Sequence, residues 1–130
     1  MSARLQVAAD LAAIRDIGAW LRTESDDEDL CCRLELALQE LTSNIVRHGY
    51  SGDGGSPEPG IVAEWHRDGP TSQIVVIDWA PRYQPVPDRQ AQPGVPRVHG
   101  YGLMIIAQLV DHFSHDYVDG RNMWTLTFAT

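Results

Sequence analysis

A chain of 130 residues with 43% hydrophobic content is the length of one ordinary domain with a sizeable core. Eighteen acidic residues against ten basic ones give a net charge of −8, a field that repels phosphate backbones and argues against non-specific nucleic-acid or anionic-membrane binding. All ten basic residues are arginine, which excludes every mechanism built on a lysine, including the P-loop lysine, the β3 lysine of eukaryotic-type kinases and Schiff-base chemistry.

In chain order, Arg4–Ala8 reads as a short strand, and Asp10 as the cap of a helix with Leu11, Ile14 and Leu21 on one face. The acidic run Ser25–Asp29 suits a helix start, and a second helix is predicted over Glu28–His48, stopping at Gly49. Cys31 and Cys32 are neighbours on that helix and point to different faces, so they read as two free thiols, in keeping with a reducing cytoplasm. Residues 51–60 are rich in glycine and proline and read as a loop. Strands are predicted over Ile61–His66 and Gln73–Trp79, with Arg67-Asp68-Gly69-Pro70 turning between them. Ala80–His99 carries five prolines and no helical period, the signature of a lid or binding loop. A helix from Gly102 places Leu103, Ile106, Val110 and Phe113 on one face, and a last hairpin over Asp116–Ala129 turns at Asp119-Gly120. No signal peptide and no run approaching ~18 apolar residues is present, so no membrane association is expected. The order predicts a single α+β domain over residues 1–130: a two-layer α/β sandwich, its sheet mixed but mostly antiparallel, with helices on one face.

The second helix carries the chemistry. Leu30, Leu34, Ala37, Leu41, Asn44 and His48 form a core-facing stripe that turns polar at its end. Glu40, Asn44 and His48 are four residues apart, each about 6 Å above the last on nearly one face. Burying a carboxylate, an amide and an imidazole without partners costs roughly 1–3 kcal/mol each, so backbone, water or a ligand must satisfy them. The stripe alone is equally compatible with a helix end leaving the core. His112 and His115, with Asp111 and Asp116, suggest a metal site, but a histidine pair at i and i+3 where a helix meets a strand is more often incidental, and no other cluster has metal-ligand spacing.

Three segments resemble the ordered boxes of the GHKL, or Bergerat-fold, ATPases with a histidine kinase-like ATPase domain, and most of all the branch of anti-sigma factor serine kinases. Glu40-Leu41-Thr42-Ser43-Asn44-Ile45-Val46-Arg47-His48-Gly49-Tyr50 looks like the N box, and Val75-Val76-Ile77-Asp78-Trp79-Ala80-Pro81-Arg82-Tyr83-Gln84-Pro85 like the G1 box. His99-Gly100-Tyr101-Gly102-Leu103 resembles the G2 box, and Asn122-Met123-Trp124-Thr125-Leu126 the closing hairpin. The resemblance implies ATP and Mg²⁺ as cofactors. It implies Asn44 as the Mg²⁺ ligand, a hard amide oxygen suited to an ion that keeps several waters, and Glu40 as the general base towards a serine hydroxyl or water. Asp78 would accept a hydrogen bond from the adenine amino group. Gly100, Gly102 and Leu103 would bring backbone and a helix N-terminus to the phosphates. Thr125 would assist at the adenine, His48 would close the N box as a cap or a ligand, and Arg89 and Arg97 of the lid are candidates for phosphate contacts. The implied partners are a sigma factor and a STAS-type anti-sigma antagonist, with homodimerisation through the first strand and helix.

The sequence departs from the family at Ala80, where the G1 box has glycine. If φ is positive there, alanine costs ~1 kcal/mol or more. Tyr83 and Gln84 stand where relatives carry phenylalanine and aspartate. Three readings follow: a serine-protein kinase acting on an anti-sigma antagonist, a non-catalytic ATP- or partner-binding module of the same fold, and a detached histidine-kinase catalytic domain. The last is disfavoured by the lack of a phospho-accepting helix pair within this sequence.

Overall fold

The computed structural model describes residues 2–10, 12–49, 60–83 and 101–129. Strand β1 (Ser2–Val7) leads to helix α1 (Ala13–Glu24) and then α2 (Glu28–Asn44), which continues into a π-helical turn at Ile45–Gly49. After these come β2 (Ile61–Asp68), β3 (Thr71–Asp78), α3 (Tyr101–Leu109), β4 (His112–Val118) and β5 (Arg121–Ala129). The five strands form one sheet in the order β1-β2-β3-β5-β4. Among the described residues every pairing is antiparallel, in keeping with the expected mostly antiparallel sheet. The connections explain this: β2–β3 and β4–β5 are hairpins, and β5 returns alongside β3.

Local chemistry sets the ends of these elements. Asp10 Oδ1 accepts the Ala12 N–H at 2.9 Å one step before α1, and Asp27 caps α2 by accepting the Leu30 N–H at 3.1 Å. Gly69, at φ +64°, followed by Pro70 makes the two-residue turn between β2 and β3. Asp119 and Gly120 are both at positive φ, 55° and 78°, as a type I′ hairpin turn demands.

Strand alternation sends one set of residues towards the helices. Ala63, Trp65, Ile74, Val76, Trp124, Leu126 and Phe128 of the sheet are buried with Ile17, Leu21, Leu34, Leu38, Leu41 and Ile106 of the helices in one core. Trp65 is its centre, edge-on to Trp20 at 6.3 Å and to Phe128 at 5.7 Å. In α1 the buried face runs through Ala13, Ile17, Trp20 and Leu21, leaving the predicted Ile14 at its edge. Leu11 lies outside the described residues. Both cysteines are free, Cys31 buried and Cys32 exposed, and burial pushes the Cys31 thiol up. Among the described residues no helix is long and apolar enough to cross a membrane.

Candidate functional site

Two parts of the helix-facing layer carry polar groups that an apolar core would not select. The first is the end of α2. The predicted stripe is buried from Leu30 through Leu34, Ala37 and Leu41 to Asn44, which is only 7% exposed. Its Nδ2 is buried and has no hydrogen-bond partner among the described residues. An amide without a partner on its buried end is a costly feature, of the kind that a ligand atom can satisfy. The terminal N and O of an amide exchange on a half-turn, so the same position can present a carbonyl oxygen to a cation. Glu40, one turn earlier, is half-buried. One amide oxygen is a modest donor set, which suits Mg²⁺ that keeps waters and phosphate oxygens as its remaining ligands. Asn44 therefore fits the implied ion, and among the described residues no group of three or more His, Cys, Asp or Glu forms an alternative metal cluster.

The π-helical turn begins immediately after Asn44, at Ile45, whose N–H reaches the carbonyls of both Leu41 and Thr42. A wider turn changes the angular step per residue. The backbone of His48 therefore does not continue the straight row through Glu40 and Asn44 that an unbroken α-helix predicts.

The second polar part is the end of β3. Asp78 is 1% exposed, yet its carboxylate collects three donors. Oδ1 accepts the Ala80 N–H at 3.0 Å and Asn122 Nδ2 at 2.9 Å, and Oδ2 accepts the Trp124 indole N–H at 2.9 Å. Asn122 stands opposite Asp78 in the β3–β5 register. Its Nδ2 also lies 3.2 Å from the Ala80 carbonyl and 3.1 Å from that of Pro81, and its Oδ1 accepts the Tyr83 N–H at 2.9 Å. Three acceptors on one end and a backbone donor on the other fix the amide orientation. His115 Nε2 lies 2.8 Å from the same Oδ1 and therefore carries the proton of this bond. Trp124 packs against Tyr83 at 5.0 Å, His115 at 4.4 Å and Phe113 at 6.0 Å. Desolvation dominates the Asp78 carboxyl and moves it above the usual aspartate range, against the pull of its three hydrogen bonds.

Thr125 pairs with Val75, while Asp78 pairs with Asn122. By strand parity the Thr125 side chain is on the sheet face away from the helices, and the residue that meets Asp78 is Trp124. The concern over Ala80 is resolved: Asp119 is the only non-glycine residue at positive φ among those described. Ala80 is 3% exposed and belongs to the core. His112 and His115 fall on opposite faces of β4, as their spacing of three in a strand requires.

Gly102 and Leu103 lie in the first turn of α3, where backbone N–H groups have no partner within the helix. Leu103 is partly buried against the core. Gly100, Arg89, Arg97 and Gln84 lie outside the described residues. Sequence reasoning did not single out Asn122 and Trp124 as partners of Asp78, or His115 and Tyr83 as partners of Asn122. The alternation of Asn122, Trp124, Leu126 and Phe128 was a signal for their common face, but only the register shows which strand they meet.

The fold is shared with solved structures. The chain aligns with the RsbU and RsbW domains of Rv1364c from Mycobacterium tuberculosis with a TM-score of 0.68 and 23% identity, covering 98% of this chain and 32% of that one. The chain thus spans about a third of the length of that relative. No curated protein matches it. The family described as histidine kinase-like ATPase domain matches residues 2–128, nearly the whole chain, and the chain belongs to that family.

Proposed function

We propose that the chain is an ATP- and Mg²⁺-binding serine-protein kinase of the anti-sigma type. On this reading it transfers the γ-phosphate of ATP to a serine of a STAS-type antagonist, in the cytoplasm, and controls a sigma factor by exchanging partners. The observation that carries the reading is the end of α2, where a half-buried carboxylate and a buried amide without a partner among the described residues interrupt an apolar stripe. Membership of the ATPase family and a fold shared with a chain that contains an RsbW domain support it.

In the proposed chemistry Asn44 holds the ion, and Mg²⁺ when bound offsets phosphate charge. Glu40 accepts the proton of the serine hydroxyl as its oxygen forms a bond to the γ-phosphorus, and the bond from that phosphorus to the ADP oxygen breaks. Asp78 accepts the adenine amino group with its remaining acceptor capacity. The first turn of α3, with Gly102 and Leu103, offers backbone N–H groups to the phosphates, and Gly100, His48 and the lid arginines belong to the same proposed site. Two copies of the chain acting together through β1 and α1 are part of this reading.

A second reading is favoured by the three hydrogen bonds that already hold the buried Asp78: a module of the same fold that binds its partner without turnover. Calorimetric titration with ADP and Mg²⁺, then label transfer from ATP to a STAS-type antagonist, separates the two. Micromolar ADP binding together with transfer abolished in Asn44→Ala is the result expected of the kinase. Transfer that is equal in Asn44→Ala and wild type overturns it, and binding without transfer favours the module.

A further inference from the structure

Asn122 makes contacts that no single-purpose strand residue needs. One side chain bonds the Asp78 carboxylate, the carbonyls of Ala80 and Pro81, the N–H of Tyr83 and the His115 ring, at distances from 2.8 to 3.2 Å. It is 1% exposed. Every hydrogen-bonding atom of its amide is used, and three of the five groups it meets are backbone atoms of residues 80–83. The chain has an alanine at position 80, so the path after β3 is not set by a glycine. It is held from across the sheet.

We propose that Asn122 is a positioning residue that fixes the Asp78 carboxylate and the strap 80–83 as one unit, so that Asp78 meets its ligand with Oδ1 already committed and only Oδ2 left with spare acceptor capacity. The link to a ligand rests on the proposal that Asp78 meets a purine amino group; the fixing of the strap does not. The physical reason is preorganisation. A buried carboxylate that swings between partners loses the directional bond that distinguishes an amino group from a carbonyl on a base. His115 completes the device by donating to Asn122 Oδ1, which holds the amide in the orientation that gives Nδ2 to Asp78.

Two variants test this on the whole chain: Asn122→Ala and Asn122→Asp. The first removes the bridge. The second sets a second carboxylate beside Asp78, where two like charges cannot both ionise without repulsion and one shared proton restores the bond. The readouts are the indole N–H resonance of Trp124, assigned with Trp124→Phe, hydrogen exchange at the Tyr83 amide, and the Kd for ADP with Mg²⁺. Expected for Asn122→Ala are a shifted Trp124 resonance, faster Tyr83 exchange and roughly tenfold to hundredfold weaker ADP binding, the scale of a lost bond to a charged group. Asn122→Asp is expected to bind ADP progressively better as pH is lowered through the titration of the pair, a dependence that wild type lacks and that simple loss of packing does not create. Because Asn122→Asp keeps the size of the side chain, it serves if Asn122→Ala does not fold. Trp124 and Tyr83 signals that match wild type in both variants overturn the proposal, as does ADP affinity unchanged while those signals move. A wild-type chain that binds no ADP removes the purine reading alone, since the Trp124 and Tyr83 signals still decide whether Asn122 fixes the strap.

Discussion

The end of α2 and the end of β3 are both buried, both polar and both in the layer between helices and sheet, but they are built in opposite ways. Asn44 keeps a buried amide atom without a partner among the described residues, whereas Asp78 has three donors, and the amide beside it is bonded at both ends. An open polar group is a cost to folding that a ligand can repay; a closed one is part of the scaffold whether or not a ligand comes. On the proposed reading the open group on α2 is the one a ligand would complete, while the closed one on β3 already belongs to the scaffold.

The comparison breaks most easily at Trp124. Truncation to alanine removes a side chain only 2% exposed and is expected to destabilise the chain by about 3–5 kcal/mol, read as a lower denaturant midpoint. Trp124→Phe keeps most of the volume and loses the indole bond to Asp78, so its loss is expected to be about 1–3 kcal/mol. Equal losses in the two variants would mean that the bond contributes everything and the ring nothing.

Asn44→Leu works in the other direction. Replacing an unpartnered buried amide with an apolar side chain of similar size is expected to stabilise the fold by about 1–2 kcal/mol while abolishing Mg²⁺-dependent ADP binding. A destabilised Asn44→Leu would show that the amide has a structural partner, and the contrast with Asp78 would collapse.

Asp78 itself gives a pH test. Its carboxyl is shifted above the ordinary value of 3.8 by burial. The folded chain therefore binds this proton more tightly than the unfolded one, and the stability linked to it is fully present below the unfolded value and lost as pH rises through the folded one. Wild type is expected to lose stability relative to Asp78→Asn across that window in parallel denaturation series. A difference independent of pH would place the carboxyl outside the desolvated core.

The smallest effect belongs to the surface network that joins α1 to α2, where Arg22 meets Glu28 at 2.9 Å and Glu35 at 3.1 Å. Arg22 holds the Glu28 carboxyl below its usual range, so its contribution is present at neutral pH and is lost as pH falls through that lowered value. Arg22→Ala is expected to flatten the acid side of the stability profile slightly and to leave ADP binding unchanged, because exposed ion pairs are screened. A change in ADP affinity would tie α1 to the site.

Much was legible from the residues. The stripe from Leu30 to Asn44 and the two turns at Gly69-Pro70 and Asp119-Gly120 follow from local spacing and turn chemistry, which act within a few residues, and the ordered boxes carried the resemblance to the ATPase family. The polar end of the stripe already pointed to Glu40 and Asn44. What spacing could not supply was the partner of each group across the sheet. The π-helical turn after Asn44, the absence of positive φ at Ala80, the exclusion of Thr125 from the Asp78 side and the grip of Asn122 on the strap all depend on which strand lies beside which, and in what register. Antiparallel register turns residues 44 positions apart in sequence, Asp78 and Asn122, into neighbours at 2.9 Å. By itself the sequence determined most of the elements, because periodicity and capping are local, and its boxes carried the resemblance to the family. Only the tertiary structure decided that Asp78 is closed and that Asn44 has no partner among the described residues, because hydrogen-bond satisfaction in a core is settled by contacts between strands and helices that are distant along the chain.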